Sequence, residues 1–173
     1  MRNQAAVDSQ AIVEVPESGG LQLHMRSDSS SRGHPRFVAL SADGGERFGP
    51  ATRAVNLTGP PNGCQASLLR GGPRNQSLYF ANPSWAGGRT QLTLRRSTDG
   101  GVHWPRCTEA QRMGPARGCA GATTLYVNSS SYSSLAPLSE ALIGAIFERG
   151  DYADNGCAGV SCRISFVAAD ANM

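Results

Sequence analysis

An eight-residue pattern that occurs twice limits what this chain can fold into more than any bulk property does. Ser97-Thr98-Asp99-Gly100-Gly101-Val102-His103-Trp104 reads S-x-D-x-G-x-x-W, and Ser41-Ala42-Asp43-Gly44-Gly45-Glu46-Arg47-Phe48 repeats it 56 positions earlier with phenylalanine for tryptophan. In each copy a β-rich run leads into Asp-Gly-Gly, which supplies the positive φ of a tight turn, and an aromatic follows on the outgoing side. The pattern therefore predicts structural jobs for Ser41, Asp43, Gly45 and Phe48, and for Ser97, Asp99, Gly101 and Trp104. The carboxylate accepts from turn N–H groups, the serine adds a side-chain bond, and the ring shields both.

Around the two copies, short β-rich runs alternate with Gly, Pro and Ser clusters: residues 11–15, 21–26, 36–41, 65–69, 77–81, 90–97, 123–127, 133–138, 141–147 and 161–168. That is an all-β pattern. Residues 138–149 alone admit a helical reading, and Gly144 among β-branched and aromatic neighbours favours a strand there, so no helix is predicted. The repeated motif is an Asp-box, and two copies at blade-like spacing predict a β-propeller, because a four-stranded blade takes about 40 to 50 residues. The strands fall into three blade-like groups, about 10–60, 61–120 and 121–173. Three blades do not close a ring that needs about four to eight. Residues 1–173 are thus expected to be one part of a larger propeller domain, completed by upstream sequence or a second chain, with no separate second domain.

Composition removes other classes. Hydrophobic residues make up 39% and charged residues 17%, with 21 glycines and 10 prolines, which fits a turn-rich globular chain and not a helical bundle or disordered tail. The longest apolar run, residues 141–147, is far short of the roughly 20 residues of a spanning helix, and no leader-like apolar stretch opens the chain. A net charge of +3 arises from basic residues spread along the chain without a run longer than Arg95-Arg96, so no nucleic-acid partner is expected. All 16 basic residues are arginine, which fits either bidentate anion binding or a codon bias. His103, Cys107 and Cys119 lack C-x-x-C spacing, and no metal site is predicted. Five cysteines and the sequons at Asn56, Asn75 and Asn128 lean towards a secreted or lysosomal location.

Four segments, in the same order along the chain, resemble the sialidases. Ile12-Val13-Glu14-Val15-Pro16 with Gly19-Gly20 and the strand ending at Arg26 is similar to a strand pair reading V-V-E-L-x-D-G, preceded by an acidic residue and closed by an arginine. Gly63-Cys64-Gln65-Ala66-Ser67 resembles G-C-Q-G-S. Asn82-Pro83-Ser84-Trp85 followed by Arg89-Thr90-Gln91-Leu92-Thr93-Leu94-Arg95 resembles N-P…R-x-x-L-T-L-R of lysosomal-type members. Ser131-Tyr132-Ser133-Ser134-Leu135, with Ile143 to Gly150 after it, resembles G-Y-S-S-L…I-x-x-L-Y-E-x-G. The resemblance covers the C-terminal half of a six-bladed catalytic propeller.

What the resemblance implies is an exo-α-sialidase that releases terminal sialic acids from glycoproteins, oligosaccharides or gangliosides with retention and without a cofactor. Arg26 and Arg89 become the second and third members of an arginine triad that grips the substrate carboxylate, for which the planar guanidinium fork is suited. Tyr132 becomes the nucleophile: a carboxylate would be repelled by the acid group on the sialic anomeric carbon, whereas a phenol is neutral, and sialidases are the known tyrosine exception among glycosidases. With an ordinary pKa near about 10 the phenol needs a base. The family places Glu five residues before the Glu of V-V-E. That position is Ser9, and Asp8 takes the role only if a one-residue bulge lies between them. Glu148 becomes the residue that steadies the first arginine of the triad, which lies, with the acid/base aspartate, outside this chain. Two alternatives stand beside the enzyme: an inactive remnant or sialoside-binding module, and a propeller used only for protein contacts.

Overall fold

A computed structural model describes residues 7–16, 18–27, 35–150 and 163–173, with backbone alone for 7–10. The fold is all-β apart from short turns of helix. Strands β1 (Val7–Glu14), β2 (Leu21–Ser27), β3 (Pro35–Ser41) and β4 (Thr52–Thr58) form one antiparallel sheet in chain order. A second, seven-stranded sheet contains β5 (Ser67–Gly71), β6 (Ser77–Pro83), β7 (Thr90–Ser97), β8 (Gly118–Cys119), β9 (Ala122–Pro137), β10 (Leu142–Gly150) and β11 (Arg163–Asp170), in the order β11-β10-β9-β7-β6-β5, with β8 beside β9. No helix among the described residues is long and apolar enough to cross a membrane.

Strand β6 shows why the layers stack as they do. Every residue of Ser-Leu-Tyr-Phe-Ala-Asn-Pro is buried, and the two-residue period of a strand sends Leu78 and Phe80 to one side and Tyr79 and Ala81 to the other. Leu78 and Phe80 join Val13, Ala54, Leu57, Ala66 and Trp104 in a core shared by the two sheets. Tyr79 and Ala81 join Leu94, Ile143 and Ala171 in a second core, where the seven-stranded sheet curls so that β5–β7 and β10–β11 face each other. The Tyr79 hydroxyl donates to the Ala171 carbonyl at 2.7 Å, satisfying its polar end inside that core.

Three local expectations change. Residues 123–127 and 133–138 are not two strands but the ends of the sixteen-residue β9, which pairs with β7 through Ser129 and with β10 from there on. The polar tract between them stays extended because its neighbours supply hydrogen bonds. β4 has no simple alternation to read: Asn56 sits at φ 65°, and this break lets Ala54 and Leu57, three residues apart, both reach the core. The predicted absence of helix fails at α1 (Glu109–Met113), a five-residue helix too short for a periodic signal but closed by a capping box. Thr108 Oγ1 accepts from Gln111 N–H at 3.2 Å, and Gln111 Oε1 accepts from Thr108 N–H at 2.8 Å. A Cys107–Cys119 disulfide ties the ends of this excursion, while Cys64 is a buried free thiol. Cys157 and Cys162 lie outside the described residues.

The two repeated turns are built alike. Ser41 donates to Asp43 Oδ1 at 2.8 Å and accepts from Gly45 N–H at 2.9 Å; Ser97 and Asp99 do the same at 2.7 Å, with Gly101 N–H at 2.9 Å. Each aspartate also accepts a backbone N–H four residues on, from Arg47 and His103, both at 3.0 Å. Gly44, Gly45, Gly100 and Gly101 all take positive φ. The aromatics differ. Phe48 is half-buried, whereas Trp104 is 2% exposed and packs 5.6 Å from the Phe80 ring and 6.2 Å from His24, so it is a core anchor and not only a turn shield.

His24 is fully buried in the same core, with Nε2 3.1 Å from Gln22 Oε1. Burial, aided by the nearby Arg36 guanidinium, lowers its pKa from 6.5 to about 3. The unfolded chain therefore binds a proton below pH 6.5 that the folded chain refuses, so stability falls as pH drops from 6.5 towards 3, by about 1.4 kcal/mol per unit. Asp43 is pulled down by the Arg47 N–H and the Ser41 hydroxyl. Its contribution is lost only below the ordinary carboxylate range. Urea titrations between pH 6.5 and 4.5 should show this slope in the native protein, and His24→Gln should flatten it. Equal slopes would show that His24 is not held neutral.

Candidate functional site

Two bulges and one glycine set the positions of the residues singled out above. On β1 the pairing with β2 runs in step from Glu14↔Leu21 to Ala11↔His24, then skips Gln10, so that Ser9 faces Met25 and Asp8 faces Arg26. Without that extra residue Ser9 would stand opposite Arg26. On β9 a second shift occurs: Ser133 faces Phe147 and Ser130 faces Arg149, leaving Ser131 and Tyr132 opposite the single residue Glu148. An extra residue in one strand breaks the alternation locally and re-aims a side chain. Tyr132 is accordingly 45% exposed between buried Ser131 and Ser133, and its N–H donates to Glu148 Oε2 at 3.2 Å.

Gly63 lies between the two arginines. It has φ 65°, and a Cβ there would stand 2.8 Å from the Ser27 carbonyl oxygen and 2.9 Å from Arg26 Cδ, so the Arg26 stem lies directly against a position only glycine fits. Arg89 Nη2 donates to the Gly63 carbonyl at 3.2 Å, and its Nη1 donates to Ser131 Oγ at 3.1 Å. The Arg89 guanidinium carbon stands 5.8 Å from the centre of the Tyr132 ring. A continuous chain of contacts therefore runs Arg26, Gly63, Arg89, Tyr132, Glu148. The structure brings these side chains into one neighbourhood but not into one cavity. Arg26 borders a recess with Pro35, Arg36 and Pro60, while Tyr132 and Glu148 border another, of about 280 Å³, with Ile146 and Ile164.

Several residues that hold this arrangement carry no signal as site residues in the sequence. Gln65 clamps the strand beside the tyrosine: its Nε2 donates to the Ser133 carbonyl at 3.0 Å and its Oε1 accepts from Ser133 N–H at 2.9 Å, as a neighbouring strand would. Ser67 and Ser133 share a hydroxyl bond at 2.9 Å. Arg36, buried, donates to the Cys64 carbonyl at 2.9 Å and lies 5.1 Å over the Phe80 ring; burial, with Arg26 acting in the same direction, lowers its pKa to about 10. Burial raises the Cys64 thiol, and Arg89, Arg36 and Arg26 oppose that shift. Three guanidinium groups thus act on one point of the fold. Concentrated positive charge of this kind holds an anion, and arginine forks favour a carboxylate.

No family model matches the sequence. The chain is 31% identical over 151 residues to a sialidase of Micromonospora viridifaciens, an alignment covering 83% of this chain and 20% of that protein. Among solved structures it is similar to the Hadza microbial sialidase Hz136, with a TM-score of 0.63 and 26% identity over 95% of this chain and 27% of that one. It also shares the fold of the NanB sialidase from Streptococcus pneumoniae, at a TM-score of 0.68 and 14% identity over 98% and 24%. The chain spans about a fifth of the length of the curated relatives it matches.

Proposed function

This chain resembles part of a sialidase in sequence and in its β-propeller fold, and from that premise we propose that it supplies the carboxylate-binding and nucleophile-bearing part of a retaining exo-α-sialidase. The observation that supports this best is Arg89, which reaches the strand of Tyr132 through Ser131 and the flank of Arg26 through Gly63. In this reading Arg26 and Arg89 hold the sialic carboxylate next to the anomeric carbon, and Tyr132 Oη attacks that carbon as its proton passes to Asp8. The β1 bulge supports the last assignment, because it puts Asp8 in the register position opposite Arg26 that Ser9 would otherwise hold. Glu148 fixes the Tyr132 backbone. In this reading the remaining arginine and the acid that protonates the leaving group belong to further blades. Terminal sialic acids of glycoproteins, oligosaccharides or gangliosides are the proposed substrates. A secreted or lysosomal location is part of the proposal, supported by the Cys107–Cys119 disulfide.

A second reading, a module that binds sialosides without hydrolysing them, is favoured by one observation: the two arginines lie close together within a chain that spans a fifth of its relatives. Both readings require Arg89. Titration of 3′-sialyllactose into the chain should give measurable affinity, and Arg89→Ala should weaken it by about tenfold or more, the worth of a charge-assisted pair of bonds. Unchanged affinity in a variant with native circular dichroism would remove Arg89 from the site.

A further inference from the structure

We propose that the cavity between β4 and the β6–β7 loop is a second ligand site, built for an acidic saccharide. This cavity, of about 760 Å³, is lined by Arg53, Arg95, Arg106 and Arg112, with Glu109 the one carboxylate in its wall among the described residues and Trp85 on its rim. None of Arg26, Arg89, Tyr132 or Glu148 lines it. Its size is that of small-molecule sites in general.

The decisive residue is Arg95. It is 4% exposed and borders the cavity, and its Nη1 donates to the Asn82 side-chain oxygen at 3.0 Å. No ion pair reaches it among the described residues. Burial first, then the like charges of Arg112 and Arg36, depress its pKa to about 9. A buried cation whose charged neighbours are cations is costly, and an anion entering the cavity relieves that cost. The opposite wall is preset. Arg112 Nε donates to Gln91 Oε1 at 2.7 Å, Arg112 also bonds the Cys107 carbonyl, and the disulfide from Cys107 to Cys119 holds that segment in place. A site with its charges already positioned spends little on ordering when ligand arrives.

Trp85 narrows the ligand class. It is 37% exposed, and a Cβ on Gly87 would come within 2.6 Å of its ring, so the indole lies flat against the glycine backbone and keeps an open face. A flat aromatic face suits the C–H side of a pyranose ring, while the guanidinium groups take a carboxylate or sulfate on the same ring. A free inorganic anion would use the arginines but not the indole.

Calorimetric titration of the whole chain with glucuronic acid, N-acetylglucosamine 6-sulfate, uncharged N-acetylglucosamine and inorganic sulfate tests the proposal. Both acidic sugars should bind, sulfate about tenfold more weakly or worse, and the uncharged sugar not measurably. Arg53 and Arg106 are exposed, so Arg53→Ala/Arg106→Ala tests the charge without disturbing the core, and it should weaken both acidic sugars about tenfold, as should Trp85→Ala. Binding should persist in Arg89→Ala, which separates this site from the one proposed above. The proposal is overturned if sulfate binds as tightly as the acidic sugars, if the double variant binds them unchanged, if Arg89→Ala abolishes binding, or if no acidic sugar binds at millimolar concentration.

Discussion

On the sialidase function proposed for this chain, replacing Tyr132 with phenylalanine is expected to cut sialoside turnover by about four orders of magnitude or more, while ground-state affinity changes little. The split follows from where the group sits. The ring side of the contact with Arg89 survives in phenylalanine, as does the backbone bond to Glu148, so the site that holds the substrate is left standing. Only the oxygen that would attack is gone. Steady-state rates on a fluorogenic sialoside, paired with inhibitor binding, separate the two effects. Retained hydrolysis would eliminate Tyr132 as nucleophile, and a parallel loss of binding would make it a positioning residue. Asp8→Asn should lower the rate too and alter its acid limb, because the phenol would then lack its proton acceptor.

A comparable loss of stability is expected for Trp104→Ala. The indole is 2% exposed, packs on Phe80 and His24, and belongs to the core shared by both sheets, so its removal should cost about 3–5 kcal/mol, lowering Tm by roughly 10 °C. Phe48→Ala, at the equivalent position of the other turn, should cost far less, since Phe48 is only half-buried. Thermal and urea denaturation of the two variants would show the difference. Equal costs would mean that the two turns contribute through local shielding alone, and that the core role assigned to Trp104 is wrong.

The all-β fold and the matched turns were legible because both rest on short-range chemistry. Alternating runs and Asp-Gly-Gly at fixed offsets act within a few residues, and the hydrogen bonds of Ser41, Asp43, Ser97 and Asp99 follow the pattern read from them. Strand β4 escaped because a left-handed asparagine interrupts its period, and α1 because five residues carry no period at all. The site was legible in part. Arg26, Arg89, Tyr132 and Glu148 could be named by resemblance, and the structure brings them into one contact chain. The residues that make this possible could not. Gln65 acts through backbone atoms 68 positions away, Gly63 through the volume it leaves empty, and the skipped Gln10 through register alone. Such effects depend on which strand lies alongside, which no local pattern encodes.

The uninterrupted run of β9 has a mechanical consequence. One sixteen-residue strand is paired with β7 along its first half and with β10 along its second, so the tyrosine is mounted on a beam clamped at both ends, with no loop nearby to act as an elbow. Any rearrangement around Tyr132 must then come from side chains that rotate, its own exposed ring included, while the Cα that carries that ring stays where the two neighbouring strands hold it.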